Sequence, residues 1–163
     1  MPQKQSGGAS PTGRRRAVQA AKSCLRELQI ELSVLNHHVG AQVDLRDVDL
    51  DCLDMVVRDG PISPTALARR TGVHLATMTG ILNRLESEGW VRRERAEHDR
   101  RAVLVHSVPQ RVREIFRQYD GMNSALDALL AGYTESELEV IVDFLQRSTE
   151  AGRRATDELG GGS

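Results

Sequence analysis

The stretch of residues 64–105 constrains the fold more than any other part of this chain. Its local signals follow in the order helix, tight turn, helix, strand, charged loop and strand. Pro64 and Thr65 open a first short helix, and Gly72 permits a sharp turn into the next one. Two short helices joined by a glycine-containing turn are typical of a helix-turn-helix. The two strands around the charged loop then predict a β-hairpin wing appended to it.

The second helix of this motif, expected from about His74 to Ser87, has two faces of different character. Apolar residues recur at i, i+3, i+4 and i+7 and predict a buried stripe of Met78, Ile81, Leu82 and Leu85. The opposite face is small, polar and nearly free of acid, and it comprises Ala76, Thr79, Gly80, Asn83 and Ser87, with Thr77 and Arg84 on its flank. Hydroxyl, amide and guanidinium groups bond base edges and phosphates. The helix is therefore predicted to read DNA, against the alternative of a solvent-exposed helix without contacts.

The distribution of charge points the same way. The chain has a formal net charge of −1, but residues 64–105 contain eight arginines against five acidic residues, a local balance of +3. A basic patch on one element is the electrostatic footprint of nucleic-acid binding, although weak patches also occur on ordinary protein surfaces.

The helix expected from Ala17 to about Gly40 carries a long apolar seam. Spacings of three and four alternate strictly through Val18, Ala21, Leu25, Leu28, Leu32, Leu35 and Val39. Such a seam over three heptads is typical of helices that pack along one another. Because the helix is longer than a small domain needs, part of the seam is predicted to face a second subunit. The alternative is a long helix that packs only on its own chain.

The remaining elements complete a mainly α fold with a small β-hairpin wing. A helix is expected from about Asp47 to Arg58, and Ile62 could form a very short strand. An apolar stripe then runs from Val112 to Ala131, and Thr134 with Glu137 forms a capping box for a last helix to about Gln146. The predicted organisation has three parts: a disordered basic tail at 1–15, one domain at 16–150 and a flexible tail at 151–163. Within the domain, dimerisation helices at 16–40 and 108–147 flank a winged helix-turn-helix at 47–106.

Several other classes of protein are not favoured. Cys24 and Cys52 are too far apart for a metal-binding spacing, and two cysteines do not indicate a secreted disulfide scaffold. A redox switch at either thiol would need a lowered pKa and exposure, and ordinary packed cysteines are the alternative. The histidines have no ligand spacing, so no metal and no cofactor are expected.

The sequence contains no catalytic motif and no signal peptide. It also contains no apolar run near the ~20 residues that cross a bilayer. The expectation is a cytoplasmic protein that is not an enzyme and has no membrane partner.

Residues 60–105 resemble the multiple antibiotic resistance regulator (MarR) family of bacterial winged-helix repressors. The residues that carry the resemblance are GPISPTALARRTGVHLATMTGILNRLESEGWVRR, followed by Asp99, Arg100 and Arg101 in the wing before AVLV. A generic helix-turn-helix would not also have this join between helix and strand and an Asp-x-Arg wing at this distance. The stretch SVPQR at 107–111 departs from the family, which often has Leu-Thr-Pro-x-Gly there.

The resemblance implies an obligate homodimer in which the first helix and the last two helices of both subunits interleave, and in which each winged helix-turn-helix reads half of a palindromic operator. By family position, the residues in or beside the major groove would be His74, Thr77, Thr79, Asn83 and Arg84. Arg101 would enter the minor groove with Asp99 orienting it, while Arg95 and Arg100 would reach phosphate or the groove floor. The alternatives are that His74 only begins the helix and that Arg84 pairs with Glu88 at i+4.

The function predicted from the sequence is that of a homodimeric transcriptional repressor. Its partners would be double-stranded DNA, a second copy of the chain and a small-molecule effector. A small ligand or an oxidant would release DNA by changing the spacing of the winged helix-turn-helix motifs of the two subunits. These must lie about one helical turn of DNA, ~34 Å, apart. The effector crevice is expected between the dimer helices and the winged domain. The alternative is a protein-interaction or scaffold module without specific DNA binding.

Overall fold

A computed structural model describes residues 11–95 and 102–160 of the chain. The elements in chain order are α1 (Pro11–Gln42), α2 (Asp47–Asp59), α3 (Pro64–Thr71), α4 (Leu75–Ser87), β1 (Val91–Arg95), β2 (Val103–Ser107), α5 (Pro109–Gln118), α6 (Asp120–Leu130) and α7 (Glu135–Gly160). Within these ranges the strands β1 and β2 form one antiparallel hairpin. The predicted mainly α fold with a β-hairpin wing is confirmed.

The chain divides into two compact units, residues 1–38 and residues 39–163. The described part of the first unit is the helix formed by residues 11–38. Five residues of the predicted apolar seam are exposed there, namely Val18, Ala21, Leu25, Leu28 and Leu32. The first unit therefore presents apolar side chains on its surface.

The core of the second unit is formed by α2, α3, α4 and the hairpin. The predicted stripe of α4 is buried in full, since Met78, Ile81, Leu82 and Leu85 are each at most 1% exposed. Burial of an apolar side chain of this size stabilises the fold by about 1.5–3 kcal/mol. Other side chains of this unit that are fully buried are Leu50, Leu53, Leu67, Trp90 and Val105. The apolar stripe thus fixes which face of α4 is left for solvent.

The first helix of the helix-turn-helix begins and ends as its residues dictate. The Ser63 hydroxyl accepts a hydrogen bond from the Ala66 backbone N–H at 3.2 Å, and Pro64 occupies the first turn, where no N–H is needed. Gly72 follows α3 with a φ of +68°, in the left-handed region that favours glycine. The predicted role of Gly72 in the turn is confirmed.

The hairpin is attached to the chain segment that precedes α3. In addition to its pairing with Arg93, Val105 exchanges two backbone hydrogen bonds with Ile62, at 3.2 and 2.9 Å. The short strand suggested at Ile62 is therefore a single β-bridge. It ties the wing to the start of the helix-turn-helix.

Two helix limits differ from those predicted. α1 begins at Pro11 instead of Ala17, because a proline is well accommodated in a first helical turn, so the prediction of a disordered tail is wrong for residues 11–15. α7 continues to Gly160 instead of ending near Gln146, so the prediction of a flexible tail is wrong for residues 151–160. Its polar extension has ion pairs at i, i+4 from Arg147 to Asp143 and from Arg154 to Glu150.

The apolar stripe of the C-terminal third is divided between two helices. α5 ends at Gln118 and α6 begins at Asp120, so the stripe is interrupted at Tyr119. The capping box before α7 is confirmed, because the Thr134 backbone N–H donates to Glu137 Oε2 at 2.8 Å and the Glu137 N–H donates to Thr134 Oγ1 at 3.4 Å. Across the two described ranges, every helix is too short or too polar to cross a membrane.

Candidate DNA-binding surface

The exposed face of α4 brings together four of the predicted DNA-binding residues. His74 is the residue before the first turn and its side chain forms no capping hydrogen bond, while Thr77, Thr79 and Asn83 are exposed along the helix. The Thr79 hydroxyl donates to the Leu75 carbonyl at 2.9 Å, which leaves its oxygen lone pairs as acceptors toward solvent. This face can therefore offer an imidazole, hydroxyls and an amide to a ligand outside the chain.

Gly80 lies in the middle of α4 without an internal reason to be glycine. A Cβ at this position would meet only the Arg84 Nη1 atom, at 3.8 Å, among the described residues. Glycine inside a helix costs about 1 kcal/mol relative to alanine. The missing side chain instead leaves space for a surface that approaches α4 from outside.

Arg84 makes its main contacts inside the protein. Its Nε and Nη2 atoms donate to Asp49 Oδ2 and Oδ1 at 2.9 and 2.6 Å, and Asp49 is only 3% exposed. The hydrogen bond to Asp49 raises the pKa of the Arg84 guanidinium. Arg84 therefore pairs with Asp49 and not with Glu88, and Nη1 is the terminal nitrogen that this pairing leaves unused.

Asp49 was missed in the sequence, although a signal for it exists. It lies on the stripe of α2 that also contains Leu53, four residues later, and Val56, and this stripe is buried. A carboxylate on a buried stripe needs a cation as a partner, so the stripe marks Asp49 as paired without showing which basic residue it pairs with.

Arg93 in β1 is a second residue that the sequence did not single out. Its Nη1 atom donates to Asn83 Oδ1 at 2.8 Å and to Glu86 Oε2 at 3.0 Å. Its backbone N–H donates to Glu86 Oε1 at 3.1 Å. No sequence signal marks this contact, because it depends on how the hairpin lies against α4.

The tip of the wing is only partly described. Arg95 is exposed at the end of β1, opposite Val103. Asp99, Arg100 and Arg101 lie outside the described residues, so the roles implied for them stay predictions.

The two cysteines differ in environment. Cys24 is exposed on α1, whereas Cys52 is buried in α2. Burial, together with the nearby carboxylates of Asp49 and Asp51, raises the pKa of the Cys52 thiol to about 11. A thiol with such a pKa stays protonated near neutral pH, which disfavours thiolate chemistry at Cys52.

A crevice of about 340 Å³ opens between α2 and α3, and its lining includes Asp51, Cys52 and Asp54. Although Asp54 as a whole is exposed, desolvation of its carboxyl group and the charge of Asp51 together raise its pKa to about 6. The pKa of Tyr119 is raised by desolvation and by the same two aspartates. Within the described ranges, no group of three or more His, Cys, Asp or Glu residues is placed to hold a metal ion.

Comparison with known proteins places these features in a family. The model of the MarR family matches residues 43–102. The HTH-type transcriptional regulator YcgE of Bacillus subtilis is 32% identical over 122 residues, which cover 72% of this chain and 77% of that protein. The HTH-type transcriptional repressor YetL of the same organism is 30% identical over 88 residues, which cover 54% of this chain and 53% of that protein.

Two solved structures share the fold. A MarR family protein from Bacillus stearothermophilus has a TM-score of 0.64 at 19% identity, and the match covers 84% of this chain and 96% of that one. The transcriptional regulator Tm0710 from Thermotoga maritima has a TM-score of 0.61 at 22% identity, with the same coverage of the two chains.

Proposed function

This chain belongs to the MarR family of transcriptional regulators, whose members bind DNA and act as dimers, and we propose that it is a homodimeric repressor of a palindromic operator. The observation that carries this proposal is the exposed polar face of α4, held on the core by a fully buried apolar stripe. YetL, one of the relatives, is a repressor by name, which supports the negative sense of regulation.

Each predicted residue has a proposed part in the complex. Thr77, Thr79 and Asn83 contact base edges in the major groove, and His74 contacts a phosphate at the start of α4. Arg84 acts chiefly through Asp49, by holding α4 against α2. The wing contributes Arg95, Arg100 and Arg101, with Asp99 orienting the last of these.

The apolar surfaces of the C-terminal helices support the dimer. Neither α6 nor α7 has a buried residue in the single chain. Their exposed large apolar side chains are Leu126, Leu129, Leu130, Val140, Val142, Phe144, Leu145 and Leu159. A second copy of the chain, with its own exposed α6 and α7, is the occupant we propose for this surface.

Release from DNA follows from geometry. Two recognition helices must enter major grooves about one helical turn apart, so a ligand or an oxidant that shifts the dimer helices misaligns one of them. Of the two cysteines, Cys24 is the one we propose for a response to oxidants, because Cys52 is buried with a raised pKa.

DNA binding is tested by mobility-shift titration with the DNA upstream of the protein's own gene, over a range of salt concentrations. We expect affinity to fall steeply as salt rises, because each phosphate contact releases counterions. Asn83→Ala should relax base preference at one position by about 1–3 kcal/mol. Gln110→Ala, which removes an exposed amide from α5 instead of from α4, serves as the matched control. Absence of salt-sensitive binding would favour a protein-interaction module and overturn the proposal.

The dimer is tested by sedimentation equilibrium. Phe144→Glu places a charge on the exposed apolar surface of α7 and should convert the dimer to monomer. Glu158→Gln, a change of charge on the polar part of the same helix, should leave the dimer intact. A monomeric wild-type chain, or a dimer that tolerates Phe144→Glu, would contradict the proposed interface.

A further inference from the structure

Arg93 joins the hairpin to α4 through three hydrogen bonds. Its guanidinium contacts Asn83 and Glu86 on α4, and its backbone N–H donates to the same Glu86 carboxylate. The ion pair with Glu86 has a distance of 3.0 Å, and the Arg93 side chain is only 26% exposed. Arg93 is thus held in one place by a carboxylate, where a free surface arginine would be mobile.

The contact with Arg93 also settles the orientation of the Asn83 amide. A guanidinium only donates hydrogen bonds, so the Asn83 atom that faces it must be the oxygen. The Asn83 Oδ1 atom accepts from Arg93 at 2.8 Å. The amide nitrogen, with two N–H donors, has no partner among the described residues. The hydrogen bond from Arg93 therefore holds the Asn83 oxygen and leaves the amide N–H groups as donors before any DNA is bound.

We propose that Arg93 is a positioning residue that determines base specificity by holding Asn83 in this orientation. The inference rests on the proposed function, in which Asn83 contacts a base edge. An amide that pairs with adenine must accept from N6 and donate to N7, and Arg93 competes for that oxygen. An amide whose oxygen already accepts from Arg93 presents its N–H groups as donors, which suits guanine, because guanine offers the acceptors N7 and O6 side by side. The base pair read by Asn83 is guanine-bearing, with adenine disfavoured.

The experiment begins with selection of preferred sites from a random DNA library by the wild-type protein. Binding to the selected site and to all its single-base variants is then measured for the wild type, Asn83→Ala, Arg93→Ala and the double variant. We expect both single variants to lose discrimination, about 5- to 150-fold, at the same base pair. The double variant should lose no more than either single one, and Arg93→Ala should gain in relative affinity for adenine there.

Arg92→Ala is the matched control. Arg92 is the neighbouring arginine of β1, is exposed, and pairs with Glu94 instead of with α4. Its loss removes the same charge from the same strand and should leave the base preference unchanged. Arg93→Lys keeps the positive charge but loses the planar guanidinium and its several N–H donors. Its base preference should therefore resemble that of Arg93→Ala.

Two results would overturn the inference. One is unchanged discrimination by Arg93→Ala at the base pair that Asn83→Ala relaxes. The other is a uniform loss of affinity on all sequences with a salt slope reduced by about one, which is the signature of a phosphate contact. If Arg93→Ala does not fold, base discrimination and the salt dependence of binding are measured for Glu86→Gln and Arg93→Lys instead, and the same two results would overturn the inference. A wild-type protein that selects no DNA sequence would overturn the proposed function itself. This result differs from a failure of the inference about Arg93, in which the wild type still selects a sequence.

Discussion

The guanidinium of Arg84 and the carboxylate of Asp49 form two parallel hydrogen bonds, at 2.9 and 2.6 Å, although the residues are 35 positions apart in the chain. Two such bonds fix both the distance and the angle between the planar groups. They therefore fix the recognition helix α4 relative to α2, whose buried face includes Asp49.

We expect Arg84→Ala to lower the free energy of unfolding by about 2 kcal/mol, because it leaves the buried Asp49 carboxylate without its hydrogen bonds. Urea denaturation measures the change. Arg113→Ala, the loss of an exposed arginine on α5, is the control and should change little. The double variant Asp49→Ala with Arg84→Ala should be less destabilised than the sum of the single changes. An unchanged urea midpoint for Arg84→Ala would contradict the assignment.

Asp54→Asn should stabilise the protein in a pH-dependent way. The folded state raises the pKa of Asp54 from 3.8 to about 6, so the folded protein retains this proton more strongly than the unfolded chain does. The contribution of Asp54 to stability is therefore present below pH 4 and is lost as the pH rises through 6. We expect a higher Tm than wild type at pH 7.5 and an equal Tm near pH 4. A Tm difference that does not depend on pH would argue against a shifted carboxyl group.

Cys52 should resist alkylation in the folded protein. Its thiol is buried and its pKa of about 11 leaves almost no thiolate at pH 8. In the Cys24→Ser variant, which keeps Cys52 alone, mass spectrometry should show little reaction with iodoacetamide until denaturant is added. Rapid alkylation of the folded variant would show that Cys52 is accessible and ionised.

Gly72→Ala should destabilise the protein by about 1 kcal/mol. The φ of +68° is strained for a residue with a Cβ, and among the described residues other than its chain neighbours no atom lies within 4 Å of the position that this Cβ would take. The effect is thus one of backbone conformation and not of a steric clash. Gly72→Asn should destabilise less, since asparagine tolerates the left-handed region. Thermal denaturation of both variants measures which of them is less stable. Equal losses of stability would show that the left-handed backbone conformation is not the cause.

Gly80→Ala should change stability and DNA affinity in opposite directions. Alanine in the interior of α4 is expected to raise the free energy of unfolding by about 1 kcal/mol. A methyl group on the exposed face should weaken DNA binding if that face approaches the bases closely. Urea denaturation and mobility-shift titration of the same preparation provide both readouts. A variant that is more stable and binds DNA as the wild type does would show that close approach at Gly80 is not required.

The elements of the winged helix-turn-helix were predictable because their signals are local. The periodic residues Met78, Ile81, Leu82 and Leu85 define the buried face of α4 without reference to the rest of the chain. Gly72 likewise marks its turn by its own conformational freedom.

Contacts between elements were not predictable in the same way. The pairs of Arg84 with Asp49 and of Arg93 with Asn83 depend on packing and register, which local patterns do not contain. The length of α7 was underestimated for a related reason. Its apolar period ends near Leu145, and the helix continues as an exposed polar one supported by ion pairs such as Glu150 with Arg154.

The two faces of α4 also bear on how operator preference can change in evolution. Thr77 and Thr79 are exposed and take no part in the core, so substitutions there would change the proposed DNA-contacting surface at little expense to folding. Asn83 is less free to vary, because Arg93 and Glu86 are arranged around it. We expect homologues with new operators to differ first at the two threonines, and to change Asn83 only together with Arg93.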